Sequence, residues 1–181
     1  KELDSLVFEL PLADFVLTGT ITSLFPDRLV RYRYAALKAK DYLNLWLPHL
    51  VLNLLGRPGY PRESLLAGLR DSEWCTVAFR PVEQCREHLE TLLRIYWSGL
   101  SRPLPFFPES SFHYAEQLIV KEAPPEKALA RARGAWTGSD FHRGESRDLS
   151  YQLCFRGVEP LAGDFESLAA AVFGPLLAAR T

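Results

Sequence analysis

Residues 15–23, FVLTGTITS, are rich in β-branched and apolar side chains, and residues 29–34, LVRYRY, alternate in character. Pro26 and Asp27 between them are turn formers, so the pattern predicts two strands joined as a β-hairpin. Side chains alternate along a strand, which puts Val30, Tyr32 and Tyr34 on one face and Leu29, Arg31 and Arg33 on the other. Over residues 39–55 the period changes. Tyr42, Leu45, Trp46, Leu50 and Asn53 fall near one stripe with Leu43, Leu47 and Leu54 beside it, which predicts a buried helix, apolar nearly all round. Pro48 removes a backbone donor and clashes with the preceding turn, so a kink or a break is expected there.

Residues 56–61 form a loop by their glycine and proline content. Residues 64–69 and 73–79 read as a second hairpin across Arg70, Asp71 and Ser72, although SLLAGL also fits a helical turn. From Pro81 to residue 100, Cys85, Leu89, Leu92, Leu93, Tyr96 and Leu100 recur at helical spacing. The proline-rich SRPLPFFPESS that follows is expected to be ordered, because Leu104, Phe106 and Phe107 seek burial. Further helices are expected over residues 111–120, 125–134, 147–155 and 164–177, with a polar, glycine-containing loop over 134–147.

Composition narrows the class. The chain has 181 residues, 48% of them hydrophobic, enough for one core, and no repeat or linker divides it. The expected fold is a single α/β (α+β) domain over residues 1–181, a small mixed sheet with flanking helices. A net charge of -1 excludes coating nucleic acid by bulk charge and leaves room only for a local basic patch. Cys75, Cys85 and Cys154 are odd in number and lack a CxxC pair, which speaks for a reducing cytoplasm. The longest apolar run, residues 43–55, is interrupted by Asn44, Pro48, His49 and Asn53 and is too short to span a bilayer, so no membrane is expected. Lys1 at the start and the lack of any methionine read as a fragment of a longer polypeptide.

The succession LTGTIT, LVRYRY and YLNLWLPHLVLNL resembles the core of PD-(D/E)XK nucleases of the RecB type. Members of that family carry Gly-x-Ile-Asp on one strand, Asp-Tyr-Lys on the next, and a glutamine and a tyrosine on the following helix. The resemblance puts Thr22 at the first aspartate, Arg31 at the second carboxylate and Arg33 at the lysine. Such enzymes need carboxylates to hold magnesium, which activates water and stabilises charge on the phosphate. An arginine about 4 Å from a divalent cation costs roughly 8 kcal/mol at an effective dielectric near 20. Three further segments, LWLPHLVLNLLG, PLPFFPESS and ALARARGAWTGSDFHRGESRDLSYQLCFRG, resemble the C-terminal domain of RecC, the gamma subunit of exodeoxyribonuclease V. That similarity covers residues 17–177, and Pro48 and the residues after Gly56 depart from the family pattern. It implies an inactive nuclease-like domain at the C-terminal end of a much longer subunit, without cofactor. It also implies a structural, strand-guiding role in a helicase-nuclease that processes double-strand breaks, with RecB-like and RecD-like helicase subunits and DNA, as single strands or a fork, for partners.

The residues themselves leave choices. Arg31 and Arg33, with Arg28, Lys38 and Lys40, make a basic segment near only Asp27 and Asp41, fit for phosphate or for a partner's acids, or simply solvated. Tyr32, Tyr34, Tyr42 and Trp46 are read as core, the alternative being a stacking platform for single-stranded bases. His49, His88, His113 and His142 have no metal-binding spacing. Asp140, Glu145 and Asp148 share a loop and are read as solvated rather than as an acid-base or metal cluster. Two other readings stay open: an active nuclease whose ligands have migrated, with Asp14 or Asp41 supplying one, and a pure protein-interaction module.

Overall fold

The fold is that of a computed structural model, which describes residues 1–70, 72–140 and 143–181. Its element order is β1 (Leu6–Leu12), β2 (Phe15–Ile21), β3 (Arg28–Ala36), α1 (Ala39–Leu55), β4 (Glu63–Arg70), β5 (Glu73–Phe79) and α2 (Cys85–Ser101). There follow α3 (Pro108–Ala115), a π-helical segment (Glu116–Val120), α4 (Pro125–Thr137), a 3-10 turn (Glu145–Arg147), α5 (Leu149–Cys154) and α6 (Phe165–Ala179). This is a mixed α+β architecture with small sheets and flanking helices, as the sequence pattern indicates. Two compact units are distinguishable: Lys1–Leu93 with Ala179–Thr181, and Arg94–Ala178. No composition shift marks the division, which falls inside α2.

In the first unit the expected pairing of residues 15–23 with 29–34 is replaced by another. β2 pairs antiparallel with β1 in a two-stranded sheet, while β3 pairs parallel with β4 and β4 antiparallel with β5. The Pro26–Asp27 turn does form, but it carries only a bridge between Leu24 and Leu29 and two bonds, Phe25 N to Arg28 O and Val30 N to Ser23 O. Ser23 at φ 60 bends the chain away before a ladder can grow. β1, LVFELPL, escapes the sequence reading, although its alternation of buried and exposed positions is regular. The second hairpin is present as expected, and Asp71 of its turn lies outside the described residues.

Parallel pairing needs a crossover of a dozen or more residues, and α1 supplies it between β3 and β4. The helix runs through Pro48 without a break and ends at Gly56, whose φ of 52 is left-handed, with its N–H on the Leu52 carbonyl. Its buried side packs on one face of the three-stranded sheet, where the Trp46 ring lies 6.1 Å from that of Phe79. Leu29, Leu66, Val77 and Phe79 form that inner face. The backbone of residues 179–181 extends the β5 edge, Arg80 N donating to Ala179 O and Thr181 N to Ala78 O, both at 3.0 Å.

The second unit is helical. Phe107 is its hub, with the rings of Trp136, Tyr151 and Phe155 at 4.4, 5.0 and 5.0 Å around it and Ala128, Ala132, Phe165 and Ala169 completing the core. A Cβ on Gly144 would run into the backbone of Thr137 and Gly138, so glycine is what lets the loop lie against the end of α4.

One polar network is sealed inside the first unit. The His49 ring, fully buried, bonds the Arg80 carbonyl through Nε2 at 3.2 Å and Ser64 Oγ through Nδ1 at 2.8 Å. A carbonyl only accepts, so Nε2 carries the hydrogen and the Ser64 hydroxyl donates to Nδ1. Below it Asn53 Nδ2 donates to the carbonyls of His49 and Arg62 at 2.9 and 2.8 Å. Burial holds the His49 pKa down to about 4. The unfolded chain binds that proton near pH 6.5, so the stabilisation is complete above 6.5 and is lost as pH falls toward 4. The expected loss over that window is about 3 kcal/mol. Denaturant unfolding of the chain across this range should show it, and His49→Gln should flatten the profile; equal slopes in both proteins would refute the assignment.

Candidate functional site

The positions that the nuclease resemblance singles out lie where β2 ends and β3 begins. Thr22 follows β2 directly, and its carbonyl accepts a hydrogen bond from Arg31 Nη1 at 2.9 Å. Arg33, two residues on and therefore on the same face, directs Nη1 at both carboxylate oxygens of Asp41, at 3.3 and 3.2 Å. Asp41 Oδ2 also accepts the backbone N–H of Lys38 at 2.9 Å, holding an otherwise free donor at the first turn of α1. An acid in this turn also meets the positive end of the helix dipole. Asp41 thus closes α1 and anchors the β3 arginine row at once.

Arg31 lines a pocket of about 220 Å³ whose other walls include Phe8, Leu17, Ile21, Leu47 and Val51. Burial in these apolar surroundings pushes its guanidinium pKa below the ordinary value, and a guanidinium remains charged nonetheless. Thr22, Arg31, Arg33 and Asp41 therefore present a hydroxyl, two cations and one carboxylate already engaged by Arg33 and a backbone N–H. Among the described residues no group of three or more His, Cys, Asp or Glu side chains is placed to hold a metal ion.

The five basic residues of this segment separate. Arg28 is held by Asp27, Nε to Oδ2 at 2.7 Å, and that contact lowers the Asp27 pKa. Arg33 is held by Asp41. Lys38 and Lys40 are exposed and form no side-chain ion pair among the described residues. Asp14 is exposed at the turn between β1 and β2.

The aromatic residues divide in a way that corrects the sequence reading. Tyr42 and Trp46 are buried on α1, but Tyr32 and Tyr34 are 78% and 81% exposed. The inward face of β3 carries Leu29, Arg31 and Arg33. An arginine can face inward because its apolar stem covers core while the head finds partners, as both heads do. Sequence reasoning also missed Trp74 of β5, which is 58% exposed with its ring 5.8 Å from that of Tyr34.

The remaining candidates have structural work. Glu145 accepts from the backbone N–H of Glu109 and Ser110 and from Ser110 Oγ, at 3.0, 2.8 and 2.7 Å, tying its loop to the start of α3. Asp148 accepts from the N–H of Ser150 and Tyr151 and caps α5. His49 and Ser64 are within hydrogen-bond reach, the geometry that activates a serine nucleophile, but both are sealed in the core away from any substrate. Burial lowers the pKa of His88 and His113, and His142 lies outside the described residues. No helix among the described residues is long and apolar enough to cross a membrane.

The sequence profile of the RecC C-terminal domain matches residues 1–119. The RecBCD enzyme subunit RecC of Escherichia coli (strain K12) is 31% identical over 154 residues, which cover 80% of this chain and 13% of that protein. The same subunit of Mycolicibacterium smegmatis is 32% identical over 126 residues, covering 62% of this chain and 10% of its relative. That of Buchnera aphidicola subsp. Schizaphis graminum is 23% identical over 154 residues, with 80% and 14% covered. The chain thus spans between 10% and 14% of the length of these three relatives. With the profile matched over most of the chain, and with similarity to the first relative reaching past it, the chain belongs to the RecC C-terminal domain family.

Proposed function

We propose that the chain is a non-catalytic, inactive nuclease-like domain of a RecBCD-type helicase-nuclease. In this reading it serves as scaffold and strand guide in the cytoplasmic processing of double-strand DNA breaks for recombinational repair. The observation that carries the proposal is the arginine row on the inner face of β3. Arg31 bonds the Thr22 carbonyl and Arg33 bonds Asp41, so two fixed cations stand where the nuclease resemblance calls for a metal-binding carboxylate and its neighbouring lysine. Magnesium binding there would set a dication against a guanidinium, a repulsion of roughly 8 kcal/mol at about 4 Å and a dielectric near 20. Asp41, the carboxylate that meets Arg33, is engaged by that guanidinium and by the Lys38 N–H.

The relatives are named as subunits of the RecBCD enzyme, which supports RecB-like and RecD-like helicase chains as partners and a longer RecC-type subunit as the context of this domain. Catalysis and ATP hydrolysis then belong to other chains. Of the basic residues Arg28, Arg31, Arg33, Lys38 and Lys40, the inward Arg31 and Arg33 are engaged within the fold, and the DNA or partner surface rests on Lys38 and Lys40, the exposed members free of ion pairs among the described residues.

Incubated with linear duplex or single-stranded DNA and magnesium or manganese, the purified chain should leave the DNA intact, and the metals should not raise its melting temperature. Cleavage that a point change in this chain abolishes, or a saturable metal-dependent stabilisation, would contradict the proposal. In the full-length subunit, Lys38→Glu with Lys40→Glu should weaken DNA binding. The slope of log affinity against log salt should flatten by about 0.7 to 0.9 per lysine; an unaltered affinity and slope would remove these lysines from the DNA path.

A further inference from the structure

The outer face of the three-stranded sheet is uncovered and aromatic. Tyr32 stands in register with Ala67 and Thr76, and Ala36 with Leu69 and Trp74, so Tyr32, Tyr34 and Trp74 project from the same side. The aliphatic residues of that side, Val30, Leu65 and Leu69, are half-buried, so what protrudes into solvent is ring surface. Tyr34 and Trp74 are tilted at 54° to one another rather than stacked face to face, which leaves ring faces open. A strand rises about 3.3 Å per residue, so outward side chains recur every two residues at about 6.6 Å. That interval is comparable with the spacing of bases along an unstacked single strand.

The alternation continues past the end of β3. Leu37 is half-buried and turned to the inner face, where it occupies the space that a Cβ on Gly68 would need. Lys38, still extended at φ -118 and ψ 160, is exposed, and so is Lys40. Lys38 and Lys40 therefore leave this end of the aromatic row with a positive rim. Flat π surfaces in a row beside cations are the chemistry that single-stranded nucleic acid uses, since every base offers a face to stack and every phosphate a charge to neutralise. A protein partner is served less well, because the aliphatic residues of this face are half-buried and the exposed apolar area is that of three rings.

We infer that the outer face of this sheet is a stacking platform for the bases of single-stranded DNA, with Tyr32, Tyr34 and Trp74 as the rings and Lys38 and Lys40 along the backbone path. The inference rests on the DNA-guiding reading above and adds the face, the strandedness and the residues.

The test uses the full-length subunit in its assembled complex and an oligo(dT) probe carrying 5-iodouracil, which couples to aromatic side chains on irradiation. Cross-links are expected on Tyr32, Tyr34 or Trp74. Tyr34→Phe should retain them, while the triple variant Tyr32→Ala, Tyr34→Ala, Trp74→Ala should lose them and weaken oligo(dT) binding by about tenfold or more per ring removed. The salt dependence of the triple variant should stay as it is, because its phosphate contacts are kept. Cross-linking and affinity unchanged in the triple variant would overturn the inference, as would a failure to assemble with partner subunits while oligo(dT) affinity is retained, which marks a protein interface. If reversing Lys38 and Lys40 weakens binding and removing the rings does not, the guiding role stands and the platform falls. If neither matters, both fall.

Discussion

A strand has two faces, and a slip of one residue exchanges them, so the orientation of β3 is an all-or-none choice on which the first unit depends. Leu29 fixes it by being fully buried, and Arg31 and Arg33 follow to the same side. An inward arginine requires a partner, because desolvating a guanidinium without hydrogen bonds costs far more than burying an apolar residue gains. Both partners are provided by neighbouring backbone and helix: the Thr22 carbonyl at the end of β2 and Asp41 in the first turn of α1. The same orientation sends Tyr32 and Tyr34 outward. One choice of register therefore decides both what fills the position that the nuclease resemblance singles out and what the protein shows to solvent.

Much of this is legible in the chain. α1 falls on the residues its hydrophobic stripe predicts, and the β4–β5 hairpin, α2, α4 and α6 lie close to where periodicity puts them. Pro48 leaves α1 unbroken because packing on the sheet holds the helix on both sides of the proline. What is not legible depends on pairing across distance. The turn at Pro26 and Asp27 is a real turn, but a turn does not reveal which strand goes on to form a ladder, and β1 and β4 both outcompete the sequence neighbour. Tyr32 and Tyr34 read as core because aromatic residues usually are, whereas their exposure follows from the arginines finding partners inside. Trp74 carries the same lesson, since β5 alone does not say which of its faces α1 covers.

Position in the family sharpens the chemical argument without supplying it. Membership of the RecC C-terminal domain family rests on matched sequence, and the arginine row rests on geometry. The proposal that this domain contributes binding draws on both. In the second unit acidic residues likewise serve architecture: Glu145 holds the start of α3 and Asp148 the start of α5.

The orientation of β3 is tested most directly by the coupling between Arg33 and Asp41. In a double-mutant cycle of Arg33→Met and Asp41→Asn, followed by denaturant unfolding of the chain, the account predicts a favourable interaction energy of about 1 kcal/mol between the two positions. A parallel cycle of Tyr34→Phe with Asp41→Asn should be additive, since Tyr34 faces away. Additivity for Arg33 and Asp41, or coupling that appears only for Tyr34, would mean that the tyrosine row faces inward and would contradict the account.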